Sequence, residues 1–136
     1  MKQYLMLGLG MVAGATLGAG AITALHAQAK PPAYFVVEIN KINDAEGFKT
    51  ITQRPVGGAD VAKELGGRYI ARGGKITALD GTPPQRFIAY VFDSVEKAQA
   101  FNNSSYMKEV NAIRNKTTEA RSFIVEGVPN SSSALA

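Results

Sequence analysis

The chain has 136 residues and a formal net charge of +4, with 15 Lys and Arg against 11 Asp and Glu, no cysteine and a single histidine. That length suits one domain of ordinary size, and the missing thiols exclude disulfides, thiol nucleophiles and nearly every soft-metal site. The basic residues are dispersed rather than striped with aromatics, so the charge serves solubility and leaves no nucleic-acid footprint.

The first stretch has a short basic start at Lys2 and an uncharged apolar run from Leu5 to Leu25. It closes on Ala27-Gln28-Ala29, the small-x-small pattern that a signal peptidase reads. Residues 1–29 are therefore expected to be a signal peptide, cleaved after Ala29, and the protein to be periplasmic or secreted. The alternative is a membrane anchor over residues 5–25, with Gly10, Gly14 and Gly18 at the spacing of small-residue helix dimers. A glycine-rich core and the lack of a basic stop-transfer cluster favour cleavage, and so no stable membrane association afterwards. His26 lies in this segment. The chain beyond Ala29 has neither thiol nor imidazole, so no metal centre and no cofactor is expected there.

"KPPA", residues 30–33, is an extended linker, and "YFVVEI" (Tyr34–Ile39), rich in β-branched and aromatic residues, is the first strand. Asn43 with Glu46 three positions on predicts a capped helix, with Phe48 and Ile51 inward. Pro55 and Gly57-Gly58 break it. A second piece, Ala59 to Leu65, points Val61, Ala62 and Leu65 inward, and Gly66-Gly67 ends it as a left-handed cap. "RYIAR" is a strand, followed by Gly73-Gly74, which is either a two-residue hairpin or a bulge leading into "KITALDG". After the turn "TPPQ" comes the strand Arg86–Phe92. Asp93 with Glu96 opens a helix carrying Val95, Ala98 and Phe101. "NNSS" interrupts it, with Asn103 and Ser104-Ser105 capping a segment that places Tyr106, Val110 and Ile113 at helical spacing. Arg121–Val128 is the last strand and residues 129–136 are a flexible tail.

The order β-α-β-β-α-β predicts an α+β, ferredoxin-like domain with an antiparallel sheet over residues 34–128. Its strands are apolar on both faces: Phe35, Val37 and Ile39 oppose Tyr34 and Val36, and Phe87, Ala89 and Val91 oppose Ile88, Tyr90 and Phe92. Helices cover one face, and a second copy is the economical cover for the other, which predicts a homodimer in the form of a dimeric α/β barrel.

A set of residues spread over this domain carries a resemblance. Tyr34 stands in the first strand, Gly66-Gly67 precede the second, and Arg72-Gly73-Gly74, Asp80-Gly81 and Arg86 come after it. Phe92-Asp93-Ser94, Asn103-Ser104-Ser105-Tyr106, Arg114, Arg121 and Val125-Glu126-Gly127 complete the set. In this order the chain resembles the bacterial domain of unknown function 1330 family, small proteins of the dimeric α/β-barrel superfamily. It departs from the family pattern in lacking prolines before Ser94 and between Ser104 and Tyr106, and the acid that usually precedes that tyrosine. The resemblance implies the fold and the dimer. It implies no activity, since related barrels include cofactor-free oxygenases, isomerases and plain binders.

Arg72 and Arg86 are the residues with a choice of roles. By period-two geometry Ile70 shares a face with Arg72, Arg86 with Ile88 and Tyr90, and Tyr34 with Val36 and Glu38. If these faces line a cleft at the sheet, Arg72, Arg86, Tyr90 and Tyr34 bind a small, partly apolar or anionic molecule, because a guanidinium fork suits carboxylate or enolate oxygens. Alternatively the two arginines form ion pairs with Glu126 or Asp80 and serve structure alone. Two further readings stay open. In one the same cleft runs cofactor-independent acid–base chemistry with Glu38 or Glu126 as base. In the other the barrel is filled and the protein is an interaction module. "GGRYIARGG" is no phosphate loop, since neither a Gly-Lys-Ser/Thr ending nor a helix comes after it.

Overall fold

The structure, a computed structural model, describes residues 30–129. The expected signal peptide and nearly all of the expected tail lie outside them. Pro31–Val128 form one compact unit.

Strand β1 (Ala33–Ile42) leads to helices α1 (Ala45–Thr52) and α2 (Gly58–Glu64), then strands β2 (Arg68–Arg72) and β3 (Arg86–Phe92). Helices α3 (Val95–Asn102) and α4 (Ser105–Thr117) come next, and strand β4 (Thr118–Glu126) closes the unit. The sheet runs β2-β3-β1-β4 with every neighbour antiparallel, which is the ferredoxin-like order.

Local chemistry sets the boundaries. The cap of α1 is Asp44, whose carboxylate accepts from the Gly47 amide at 3.0 Å, one residue later than the sequence predicts. The amides of Asn43 and Asp44 both donate to the Thr117 carbonyl, at 2.8 and 3.1 Å, which fixes the entry to the helix. Ser94, rather than Asp93, caps α3 by accepting from the Lys97 amide at 3.3 Å, while Asp93 pairs with the Lys97 ammonium. Ser104 caps α4 as expected. Gly66 takes φ +76° and the Gly67 amide returns to the Ala62 carbonyl at 2.7 Å, which stops α2.

Gly73-Gly74 is neither a hairpin turn nor a bulge. Gly73, at φ +64°, donates the last rung to the Phe87 carbonyl, and residues 74–85 cross to β3 as an irregular loop. The bulge sits earlier, at Ile70: Tyr69 pairs with Tyr90 and Arg72 with Ile88, leaving one residue too many between them on β2.

The two faces of the sheet separate cleanly. Ala33, Phe35, Val37 and Ile39 of β1 register with Phe92, Tyr90, Ile88 and Arg86 of β3 on the helix side. There Phe35, Tyr90 and Phe92 enclose the Phe101 ring, with centroids 4.7 to 5.5 Å from it, and Ala98, Met107 and Val110 fill the rest. On the other side Tyr34, Val36 and Glu38 register with Val91, Ala89 and Phe87 of β3 and with Val125, Phe123 and Arg121 of β4. Phe123 and Val125 remain 43% and 49% exposed, so this outer face is apolar and open as the strand pattern predicts. Among the described residues no helix is long and apolar enough to cross a membrane.

Candidate anion-binding cavity

A cavity of about 140 Å³ lies on the helix side, between the sheet and helices α1, α2 and α4. Its apolar wall is Ile39 and Ile88 from the sheet, Phe48 and Ile51 from α1, and Val110 from α4. Its polar wall holds four arginines, Arg54, Arg72, Arg86 and Arg114, with Tyr69 and Tyr106 beside them.

Each basic side chain arrives for a traceable reason. The Ile70 bulge turns Tyr69 and Arg72 to the same side, and the Arg72 guanidinium lies over the Tyr69 ring, 4.8 Å from its centroid. Arg86 begins β3 opposite Ile39, and its guanidinium rests over Gly73, where a Cβ would stand 2.6 Å from it. Arg114 belongs to the buried stripe Met107, Val110, Arg114 and Thr117 of α4, a position that helical spacing reserves for an aliphatic residue. Arg54, in the break between α1 and α2, lies over Tyr106 and pairs with Glu109.

Charge at this cavity is one-sided. No carboxylate lines it. Arg54 has its acid, but among the described residues no ion pair reaches Arg72, Arg86 or Arg114. Arg114 is only 7% exposed, and its side chain donates to the neutral Asn111 Oδ1 at 2.7 Å. Burial pulls its guanidinium below the ordinary arginine value. The Arg86 Nε is buried and makes no hydrogen bond at all. A buried donor left open costs stability, and such groups are rare in native folds.

Three tyrosines meet at the start of α2. The Tyr90 hydroxyl donates to that of Tyr69 at 2.7 Å. A Cβ on Gly58 would lie 2.4 Å from the Tyr90 hydroxyl, 2.7 Å from that of Tyr69 and 3.5 Å from that of Tyr106. Burial raises the Tyr90 phenol far above its ordinary value, reinforced by the Tyr69 hydrogen bond. Burial also raises Tyr106, with Arg54 and the Gly58 amide pulling the other way. The Tyr90 and Tyr106 hydroxyls therefore stay protonated and keep their donors.

Of the residues singled out from sequence, Arg72 and Arg86 come together here, and Tyr90 supports them from behind Tyr69. Tyr34 does not join them: it lies on the outer face, with its ring against Gly127. Glu38 is also on that face, paired with Arg121 at 2.5 Å, and Glu126 is exposed at the end of β4. Neither Glu126 nor Asp80 pairs with Arg72 or Arg86. Sequence reasoning missed Tyr69, Gly58, Arg54 and Arg114 as site residues. Arg114 had a usable signal, a charge inside the apolar stripe of a helix.

The sheet order and the one-sided helices define the class, an α+β domain of ferredoxin-like fold. The chain belongs to the domain of unknown function family DUF1330, whose model matches residues 32–128. Among solved structures, a protein of unknown function from Rhodopseudomonas palustris is similar, with a TM-score of 0.55, 13% identity, and coverage of 73% of this chain and 84% of that one. A dimeric protein of unknown function and ferredoxin-like fold from Bacteroides fragilis gives 0.43, 12% identity, and coverage of 71% and 96%. At these identities the likeness to the Rhodopseudomonas palustris structure speaks for the fold alone. No curated protein matches the chain.

Proposed function

We propose that the domain binds a small, partly apolar organic anion in the cavity between the sheet and helices α1, α2 and α4. The observation that carries this reading is a cavity lined by four arginines and no carboxylate, in which only Arg54 has an acid partner among the described residues. A ligand carboxylate or enolate pairs with the Arg72 and Arg86 guanidinium groups, the Tyr69 and Tyr106 hydroxyls line the same wall, and the apolar wall takes the carbon body. Glu38 lies on the outer face, Glu126 stands at the exposed end of β4, and neither lines this cavity, so acid–base chemistry through either has no support there.

Thermal unfolding with and without benzoate tests the proposal. Saturation to about a hundred times the dissociation constant stabilises a protein by about 2.7 kcal/mol, a rise of several degrees. The rise is expected in the wild-type chain and absent in Arg86→Met. No rise with benzoate or any other small organic acid contradicts the reading.

Two further parts of the proposal concern setting. The outer sheet face, with Val36, Phe123 and Val125, is covered by a second copy, making a homodimer. The N-terminal signal pattern directs the protein to the periplasm or beyond.

A further inference from the structure

We infer that the ligand of the arginine cavity carries two negative groups on an apolar body, and that Arg114 is one of its two charge anchors. This rests on the anion-binding reading of the same cavity and adds the ligand's charge and shape.

Arg54 provides the internal standard. It lines the cavity like the others, yet its charge is met within the fold by Glu109. Arg72, Arg86 and Arg114 have no such acid, so three positive charges face one small space. A single carboxylate forms one bidentate pair and leaves two more cations on the same cavity wall, of which the buried Arg114 is the least screened by solvent. Two acidic groups bring the local charge close to balance. Position separates the anchors. Arg72 is exposed and stacked on Tyr69 at the β2 edge, with Arg86 beside it over Gly73. Arg114 is buried on α4 and holds only the Asn111 amide oxygen, which leaves most of its five donors for a second group. Inorganic phosphate meets the charge requirement but makes no use of the apolar wall.

The test is calorimetric titration of the purified chain with three probes: benzoate, benzene-1,3-dicarboxylate and inorganic phosphate. The dicarboxylate is expected to bind about tenfold more tightly than benzoate, the increment one additional charge-assisted contact gives. Arg114→Met is expected to remove that preference, and Arg114→Lys to restore part of it. Equal affinity for the two organic acids overturns the dianion inference and leaves the organic-anion reading standing. A preference that persists in Arg114→Met overturns the role of Arg114. Tighter binding of phosphate than of the dicarboxylate overturns the apolar body. If neither organic acid binds, both this inference and the reading beneath it fail. The wild-type titrations decide the charge question even if Arg114→Met does not fold.

Discussion

The Tyr90 hydroxyl donates to the Tyr69 hydroxyl at 2.7 Å, and the two rings stack with centroids 4.2 Å apart. This pair joins the core to the cavity. Tyr90 packs on Phe35 and Phe101, while Tyr69 carries the Arg72 guanidinium on its ring. The basic wall is thus seated on the aromatic core.

One consequence is alkaline sensitivity. The folded state raises the Tyr90 phenol above its unfolded value near 10, so it holds a proton that the unfolded chain releases. The stability from this group is complete below about pH 10 and is lost as pH rises further. Urea titrations between pH 8 and 11 should show wild-type stability falling above pH 10, and Tyr90→Phe falling less steeply. At neutral pH that variant should cost about 1 kcal/mol for the lost hydrogen bond.

Gly58 is held small by its neighbours. A Cβ there would meet the hydroxyls of Tyr90 and Tyr69 within 2.7 Å. Gly58→Ala should destabilise by about 1–3 kcal/mol, the usual scale of overpacking. Gly74→Ala, with nothing within 4 Å of the added carbon, is the control and should leave the urea midpoint almost unchanged.

Arg114 separates a binding role from a structural one. A buried cation with only a neutral partner works against the fold, so Arg114→Met should raise the melting temperature of the ligand-free protein. A gain of about 1–2 kcal/mol is expected, the lower part of the range seen when buried charged groups give way to well-packed apolar residues. A loss of several kcal/mol would mean that Arg114 is a structural support.

The outer face gives the fourth prediction. Phe123 and Val125 stand exposed beside the buried Val36 on the uncovered side of the sheet. Sedimentation should find the wild-type chain as a dimer at micromolar concentration and Phe123→Lys as a monomer that keeps its secondary structure, since one charge in the centre of an apolar interface costs more than the contact gains.

Much of the fold was legible in the sequence because its signals are local. The apolar strands Tyr34–Ile39 and Arg86–Phe92, the glycine stop after α2 and the serine cap of α4 each fall within a few residues of where the pattern puts them. The lining of the candidate cavity was half legible. Arg72 and Arg86, singled out in the sequence, do line one cavity, but strict alternation pairs Arg72 with Ile70 and passes over Tyr69. The Ile70 bulge is a property of pairing with β3, and nothing within "RYIAR" announces it. Tyr34, grouped with Arg72 and Arg86 by sequence, stands on the other face of the sheet for a related reason. Which face of β1 meets the helices depends on packing against Phe101 and Met107, distant in sequence. The cap of α1 moved from Asn43 to Asp44 because the Thr117 carbonyl, far along the chain, holds both amides.

The most direct measurement of the cavity's role is arginine Nε–H NMR during titration with benzene-1,3-dicarboxylate. The Arg86 Nε–H, buried and without a partner in the free protein, should shift in a saturable way as the acid docks on its guanidinium, while that of Arg121, already held by Glu38 on the opposite face, stays in place. An unmoved Arg86 signal at saturating acid, or a response confined to Arg121, would contradict the account.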